Sequence, residues 1–474
     1  MRETSLPVRD AARAVAALLC ATVMASAPLP AQATVALVKE VGAEFVKEAR
    51  AQLPFIHDHE IKRFVDTIGK RFVSVLGTQP FEYEFFVLAE DSINAFAVPG
   101  GKIVVHAGLI SRAESVDELA DVIGHEVAHA HAHHSVRQQQ KGTAATYASL
   151  LGIFLTAVNP VLGQAAIAAA MSQQLKYQRD FEREADFLGI EYARKAGYDP
   201  SAMLSLLRKI YEEQQINPTA IPPYFLSHPL SGERMAYLEA ALGTSEWEGA
   251  RLTRSWELER AQAIVRAYSQ TRREAVPPYE RRLAQASPAD KPAALELIGI
   301  LMVHGDDYEL GRKYLEQAEA AGRKVDRELG RAYLRQGALD KAETRLKRAV
   351  AVDAEDYDAM ADLGEIYHQR GDYAAAVTEM ERSVALYPFS PSVQRALGRA
   401  LDKAGRTAAG YYHLAKAAEL EGQALTALDY YQRANGALKA DDPLKKPTEE
   451  KIAELEKLRP RIPMPPRPGG RLSQ

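Results

Sequence analysis

The sequence is poor in the residues that staple or anchor a chain. It has one cysteine, Cys20, among 474 residues, so no disulfide can form within the chain. If the segment that carries Cys20 is cleaved off, any metal must be bound by nitrogen and oxygen donors. It has no excess of either charge: 59 Lys and Arg stand against 63 Asp and Glu, a net charge of -4. That balance excludes the basic surface a nucleic-acid-binding protein needs, and no nucleic-acid partner is expected. It also has no apolar run of the roughly 20 residues that would cross a bilayer. Lys141 to Lys176 encloses a stretch without charge, but Asn159-Pro160 splits it into two short arms. We expect residues 144–171 to form a helical hairpin beside the active site, with membrane contact as the alternative and no span. With 47% hydrophobic residues, the chain reads as globular and long enough for two or three domains.

The first 33 residues have a different character. Arg2, Arg9 and Arg13 precede the apolar run Ala14–Ala25, and Ala31-Gln32-Ala33 offers a small-residue cleavage site. This is the pattern of a secretory signal peptide. The bulky Leu19 before Cys20 argues against lipidation. Cleavage after Ala33 would leave a chain with no cysteine.

Two grammars follow. Residues 34–250 mix helical spacing, as in "EIKRFVDTIGKRFVSVLG", with the strand-like "FEYEFFVLAE" and "KIVVHAGLI", separated by a turn at Pro99-Gly100-Gly101. From 257 to 440 a repeat takes over. Leu329-Gly330, Leu363-Gly364 and Leu397-Gly398 recur every 34 residues, as do Gly337, Gly371 and Gly405. A small residue inside the first helix and a glycine at the turn, at this period, is the tetratricopeptide pattern. Each unit buries its apolar face only by stacking on its neighbours. Residues 441–474 read as a helix remnant and an extended Pro/Arg-rich tail.

Chemistry concentrates in "HEVAHAHAHH", residues 125–134. Ser115 and Glu118 open the helix as a capping box. His125 and His129, four apart on one helical face, can direct ring nitrogens at one ion, and Glu126 can reach a water bound there. The expected ion is one Zn²⁺ per chain. A longer His-rich metzincin signature would need glycine at 132 and histidine at 135, where Ala132 and Ser135 stand. His131, His133 and His134 are read as a solvent-facing continuation.

The third ligand is sought in "FEREADFLGIEYARKAG". The apolar stripe Phe181, Ala185, Leu188, Tyr192 and Ala196 has Glu182 at one edge and Glu184 at the other, so period alone does not choose. Asp186, one turn beyond Glu182, can accept a hydrogen bond from a ligand histidine, and Gly189 on the same side permits close helix approach. Both favour Glu182.

"HEVAH" followed by "FEREADFLG" resembles the signature pair of the HtpX and BepA-like gluzincin metallopeptidases. "INAFAVPGGKIVVHAGL", "SHPLSGERM" and the repeats after an export signal are similar to the periplasmic branch. The resemblance spans nearly the whole chain after residue 33. It implies an α+β, mostly helical gluzincin-type metallopeptidase domain followed by an all-α tetratricopeptide solenoid. It makes Glu182 the metal ligand and Asp186 the acid behind it. It places a substrate-binding strand edge at Asn94, Pro99 and Gly100. His228 is a candidate fourth ligand or regulator that would displace the catalytic water. The implied role is periplasmic endopeptidase action on protein clients in outer-membrane protein quality control, with the repeat groove as a docking site for clients or assembly machinery. The alternative is a chaperone-like scaffold with a latent metal site.

Overall fold

The computed structural model describes residues 31–134, 137, 179–216, 223–243 and 255–458. The expected signal peptide, the stretch 144–171 and the Pro/Arg-rich tail lie outside the described residues, apart from the first positions of a helix that starts at Ala31. Two compact units emerge: one runs to Val325, and the other comprises Asp326 onward with Arg50–Gln52. The sequence-based start of the repeat region, residue 257, falls inside the first unit.

The first unit is mostly helical around a three-stranded sheet. Helices α1 (Ala31–Gln52) and α2 (His59–Ser74) precede strands β1 (Glu84–Leu88), β2 (Ala95–Val98) and β3 (Lys102–His106). The sheet order is β1-β3-β2. β1 runs parallel to β3, with Glu84 opposite Lys102, and β2 returns antiparallel, with Ala95 opposite Val105. β2 and β3 are thus a hairpin closed by the glycine turn, and β2 is an edge. Val46 and Ala49 of α1, with Leu53 just after it, close one side of the sheet over Phe86, Leu88 and Val104.

The segment "KIVVHAGLI" is strand only to His106, after which helix α3 (Ala107–Arg112) begins. Gly108 is pressed so closely on the backbone of Asp91 and Ser92 that an added Cβ would lie 2.4 Å from Ser92 O. That contact turns the chain out of the sheet.

Helix α4 (Val116–His131) is the spine of the unit, with Leu119, Val122, Ile123, Val127 and Ala128 fully buried. Ser115 Oγ accepts a hydrogen bond from the Glu118 amide at 3.1 Å, as a cap should. Glu118 reaches one residue further back than a capping box requires, accepting from the Glu114 amide at 2.8 Å. Helix α5, described over residues 179–196, follows. After it come α6 (Ala202–Ile216), α7 (Pro223–Ser227) and α8 (Gly232–Gly243). Buried Asp121 ties α4 to α6 by accepting from the Met203 amide at 2.9 Å.

Helix α9 (Trp256–Ser269) is held within this unit: Arg260 pairs with Glu60 at 2.6 Å, and Gln262 donates to Ala113 O at 2.7 Å. Among the described residues no helix is long and apolar enough to cross a membrane.

The second unit is all helical, from Asp326–Arg335 to Lys445–Leu458. Its repeat glycines act as the period implies. A Cβ on Gly330 would meet Leu346 Cγ at 2.6 Å, so the paired helices need a bare backbone there. Gly337, Gly371 and Gly405 have φ of 75°, 80° and 80°, the left-handed turn that ends each first helix.

Candidate metal centre

Four side chains from three segments meet at one point. His125 and His129 come from α4, Glu182 from α5, and His228 from the residue after α7; one ligand atom of each lies within 4.8 Å of all the others. The helix spacing does what it promised: His125 Nε2 and His129 Nε2 are 3.0 Å apart. Glu182 bridges them, with Oε2 3.4 Å from His125 and Oε1 3.4 Å from His129. His228 Nδ1 completes the group, 3.3 Å from His125 Nε2 and 3.0 Å from Glu182 Oε1.

These separations fit a metal. A tetrahedral ion bound at about 2.0–2.1 Å has its donors about 3.3 Å apart. Three imidazoles and a carboxylate are also the donor types zinc takes when no thiolate is at hand.

Glu126 stands beside the cluster, 1% exposed, with Oε1 3.2 Å from His228 Nε2. Burial resists its charge, but His228, and behind it His129 and His125, hold it below the usual carboxylate range. Burial likewise opposes charge on His228. Without a metal, the carboxylates of Glu182 and Glu126 outweigh it and push the imidazole up to about 10, so a metal bound through Nδ1 would have to displace a proton there. The Tyr224 ring stacks on His228 with centroids 4.8 Å apart, fixing its plane.

The ligands are held from behind. Asp186 Oδ1 lies 3.1 Å from His125 Nδ1. Arg234, 3% exposed, grips both acids of α5, with Nε and Nη2 at 2.9 and 2.8 Å from Asp186 and Nη1 2.9 Å from Glu182. The Tyr237 hydroxyl also donates to Asp186. Although burial works the other way, the guanidinium and His125 bring Asp186 down to about 2. Glu182 is held well below the usual range, burial being outweighed by His228 and then Arg234. α5 lies against α4 at Gly189, where an added Cβ would be 3.5 Å from His125 Cα, an ordinary contact.

Glu184 is not in the cluster. It faces Arg137 at 2.8 Å and His134 Nε2 at 3.2 Å. His134 is not solvent-facing: it is 4% exposed, with Nδ1 2.9 Å from His129 Nδ1. Burial and neighbouring His129 push it down to about 4, so its ring is neutral near pH 7. His131 and His133 are partly exposed and stay outside the cluster.

β2 packs against α4 beside the cluster. Asn94, just before it, is 2% exposed, and its Oδ1 has no hydrogen-bond partner among the described residues. Pro99 and Gly100 are buried against α1, where a Cβ on Gly42 would lie 2.2 Å from Pro99 O.

Spacing alone did not point to Arg234, Tyr237 or Tyr224. The nearest signal was the position of Arg234, six residues after His228 in "SHPLSGER".

Two histidines one helical turn apart, a converging glutamate and a second glutamate alongside are the arrangement that metal-dependent peptidases of the H-E-x-x-H type use. Residues 60–242 match the model described as Peptidase family M48, and residues 327–391 match a tetratricopeptide repeat model. A putative beta-barrel assembly-enhancing protease of Vibrio cholerae is 35% identical over 202 residues, 41% of this chain and 42% of that one. The beta-barrel assembly-enhancing protease of Escherichia coli is 30% identical over 205 residues, 42% of each chain. The mitochondrial metalloendopeptidase OMA1 of Schizosaccharomyces pombe is 30% identical over 203 residues, 42% of this chain and 57% of that one. The match thus spans less than half the length of the two bacterial relatives.

Proposed function

We propose that this protein is an exported, zinc-dependent endopeptidase that hydrolyses peptide bonds of protein clients in the periplasm. The observation that carries the reading is the convergence of His125, His129, Glu182 and His228 beside the buried carboxylate of Glu126.

His125, His129 and Glu182 would hold one zinc ion, with His228 as a fourth donor at rest. When bound, the ion supplies a Lewis acid that polarises the scissile carbonyl and acidifies water. Glu126, ionised and beside the cluster, would take the proton of the attacking water and deliver it to the leaving amine. Asp186 keeps the His125 Nδ1 proton in place, so that Nε2 stays free to bind. Arg234 offsets the two acids of α5. The outer edge of β2 is suited to accept a client as an added strand, with Asn94, Pro99 and Gly100 at its ends.

The names of the bacterial relatives concern beta-barrel assembly, which supports a role in outer-membrane protein quality control. The repeat array would recruit clients or assembly machinery. One observation favours the scaffold reading as the alternative: His228 stands in the fourth ligand place and touches the base, the arrangement of a latent site. Turnover of an unfolded protein such as casein by wild type and Glu126→Gln separates the two. Loss of turnover in the variant supports the peptidase, and equal turnover or an unchanged cellular role favours the scaffold.

A further inference from the structure

Helix α4 ends at His131, and the next residues do not continue its face. His133 has φ of 52°, a left-handed conformation that a non-glycine residue seldom takes. The turn folds His134 back over the last helical turn. Its ring is then fixed from three sides. Phe181 stacks on it with centroids 4.7 Å apart, His129 meets it edge-on at 4.9 Å, and Glu184 Oε2 lies 3.2 Å from Nε2. Arg137 donates to both oxygens of Glu184, at 2.9 and 2.8 Å, and lies over the Phe181 ring at 5.1 Å.

We propose that His134, backed by Glu184 and Arg137, is a positioning residue that fixes the ring and tautomer of the metal ligand His129. The inference rests on the metal-site reading above. If His129 binds through Nε2, its proton must sit on Nδ1. The group 2.9 Å from that nitrogen is His134 Nδ1, which can accept only if His134 carries its own proton on Nε2. Glu184 favours that tautomer, and Arg137 holds Glu184. The order is then set throughout: His129 Nδ1–H to His134, His134 Nε2–H toward Glu184, and Arg137 to Glu184. The two ligand histidines are oriented by different means, His125 by the carboxylate of Asp186 directly and His129 by a neutral imidazole with a carboxylate behind it. An imidazole acceptor adds no charge next to a centre that already contains Glu126, Glu182 and Asp186. Groups behind a ligand typically contribute about 10–100-fold in metal affinity.

The test is Zn²⁺ affinity and release rate of the full chain, by competition with a chromophoric chelator, on protein whose metal-free melting is recorded alongside. His134→Phe keeps the ring but has no acceptor; we expect a loss of about 10–100-fold in affinity. His134→Asn places a carbonyl oxygen where Nδ1 stood and should remain within a few-fold of wild type. Wild-type affinity in His134→Phe, or an equal loss in both variants, overturns the proposal. Should His134→Phe not fold, Glu184→Ala decides at a partly exposed position: faster zinc release supports the relay, and release at the wild-type rate overturns it. His129→Ala is the control. Wild type that binds no zinc contradicts the metal site itself, whereas tight wild-type binding with indifferent His134 variants contradicts only the relay.

Discussion

The imidazole of His228 lies 3.2 Å from Glu126 through Nε2 and turns its Nδ1 to the ligand cluster. One ring therefore occupies both the proposed fourth donor place and the flank of the proposed base. A peptidase needs that place for water and substrate. On this reading His228 must leave before catalysis.

His228→Ala should change the coordination shell. With Co²⁺ in place of zinc, visible absorption or X-ray absorption should report one nitrogen donor fewer and an oxygen gained. An unchanged shell would remove His228 from the ligand set while leaving the other three in place.

Arg234 should matter more for stability than its distance in sequence from the histidines suggests. It is buried between Asp186 and Glu182. Replacing it with methionine leaves two buried carboxylates without their cation, at a cost of about 3–5 kcal/mol. Chemical denaturation of the metal-free protein should show the loss. A change below about 1 kcal/mol, the scale of an exposed ion pair, would mean that solvent or other groups already neutralise those acids.

Two glycines, Gly124 of α4 and Gly189 of α5, should respond in opposite ways. At Gly124 an added Cβ would lie 2.4 Å from the Phe72 ring, whereas at Gly189 it would lie 3.5 Å from His125 Cα, an ordinary contact. Gly124→Ala should destabilise by about 1–3 kcal/mol through overpacking. Gly189→Ala should melt at or above the wild-type temperature, since alanine suits a helix better. Equal melting temperatures for both variants would contradict this packing of α2 and α5 on α4.

The helical half of the centre was legible because its geometry is local. His125, Glu126 and His129 follow from one period, as do Gly337, Gly371 and Gly405 from another. Glu182 was less so, since both it and Glu184 border the apolar stripe. What separates them is depth: Glu182 is 4% exposed, whereas the Glu184 side chain is 40% exposed. His134 was misread because periodicity assumes that the helix continues, while the left-handed His133 ends it. Arg234 was silent because its partner Asp186 is 48 residues away, and no spacing rule reaches that far. "KIVVHAGLI" failed at its end for a similar reason, a backbone contact between Gly108 and the Asp91–Ser92 turn that no alternation encodes.

The central claim is that one metal, bound by α4 and α5, works with Glu126 to cut peptide bonds. The most direct measurement is metal content together with casein cleavage for wild type and Glu126→Gln. We predict one zinc per chain in both, with cleavage lowered by about 10²–10⁴-fold in the variant. Absence of metal from the wild type, or cleavage that survives Glu126→Gln, would contradict it.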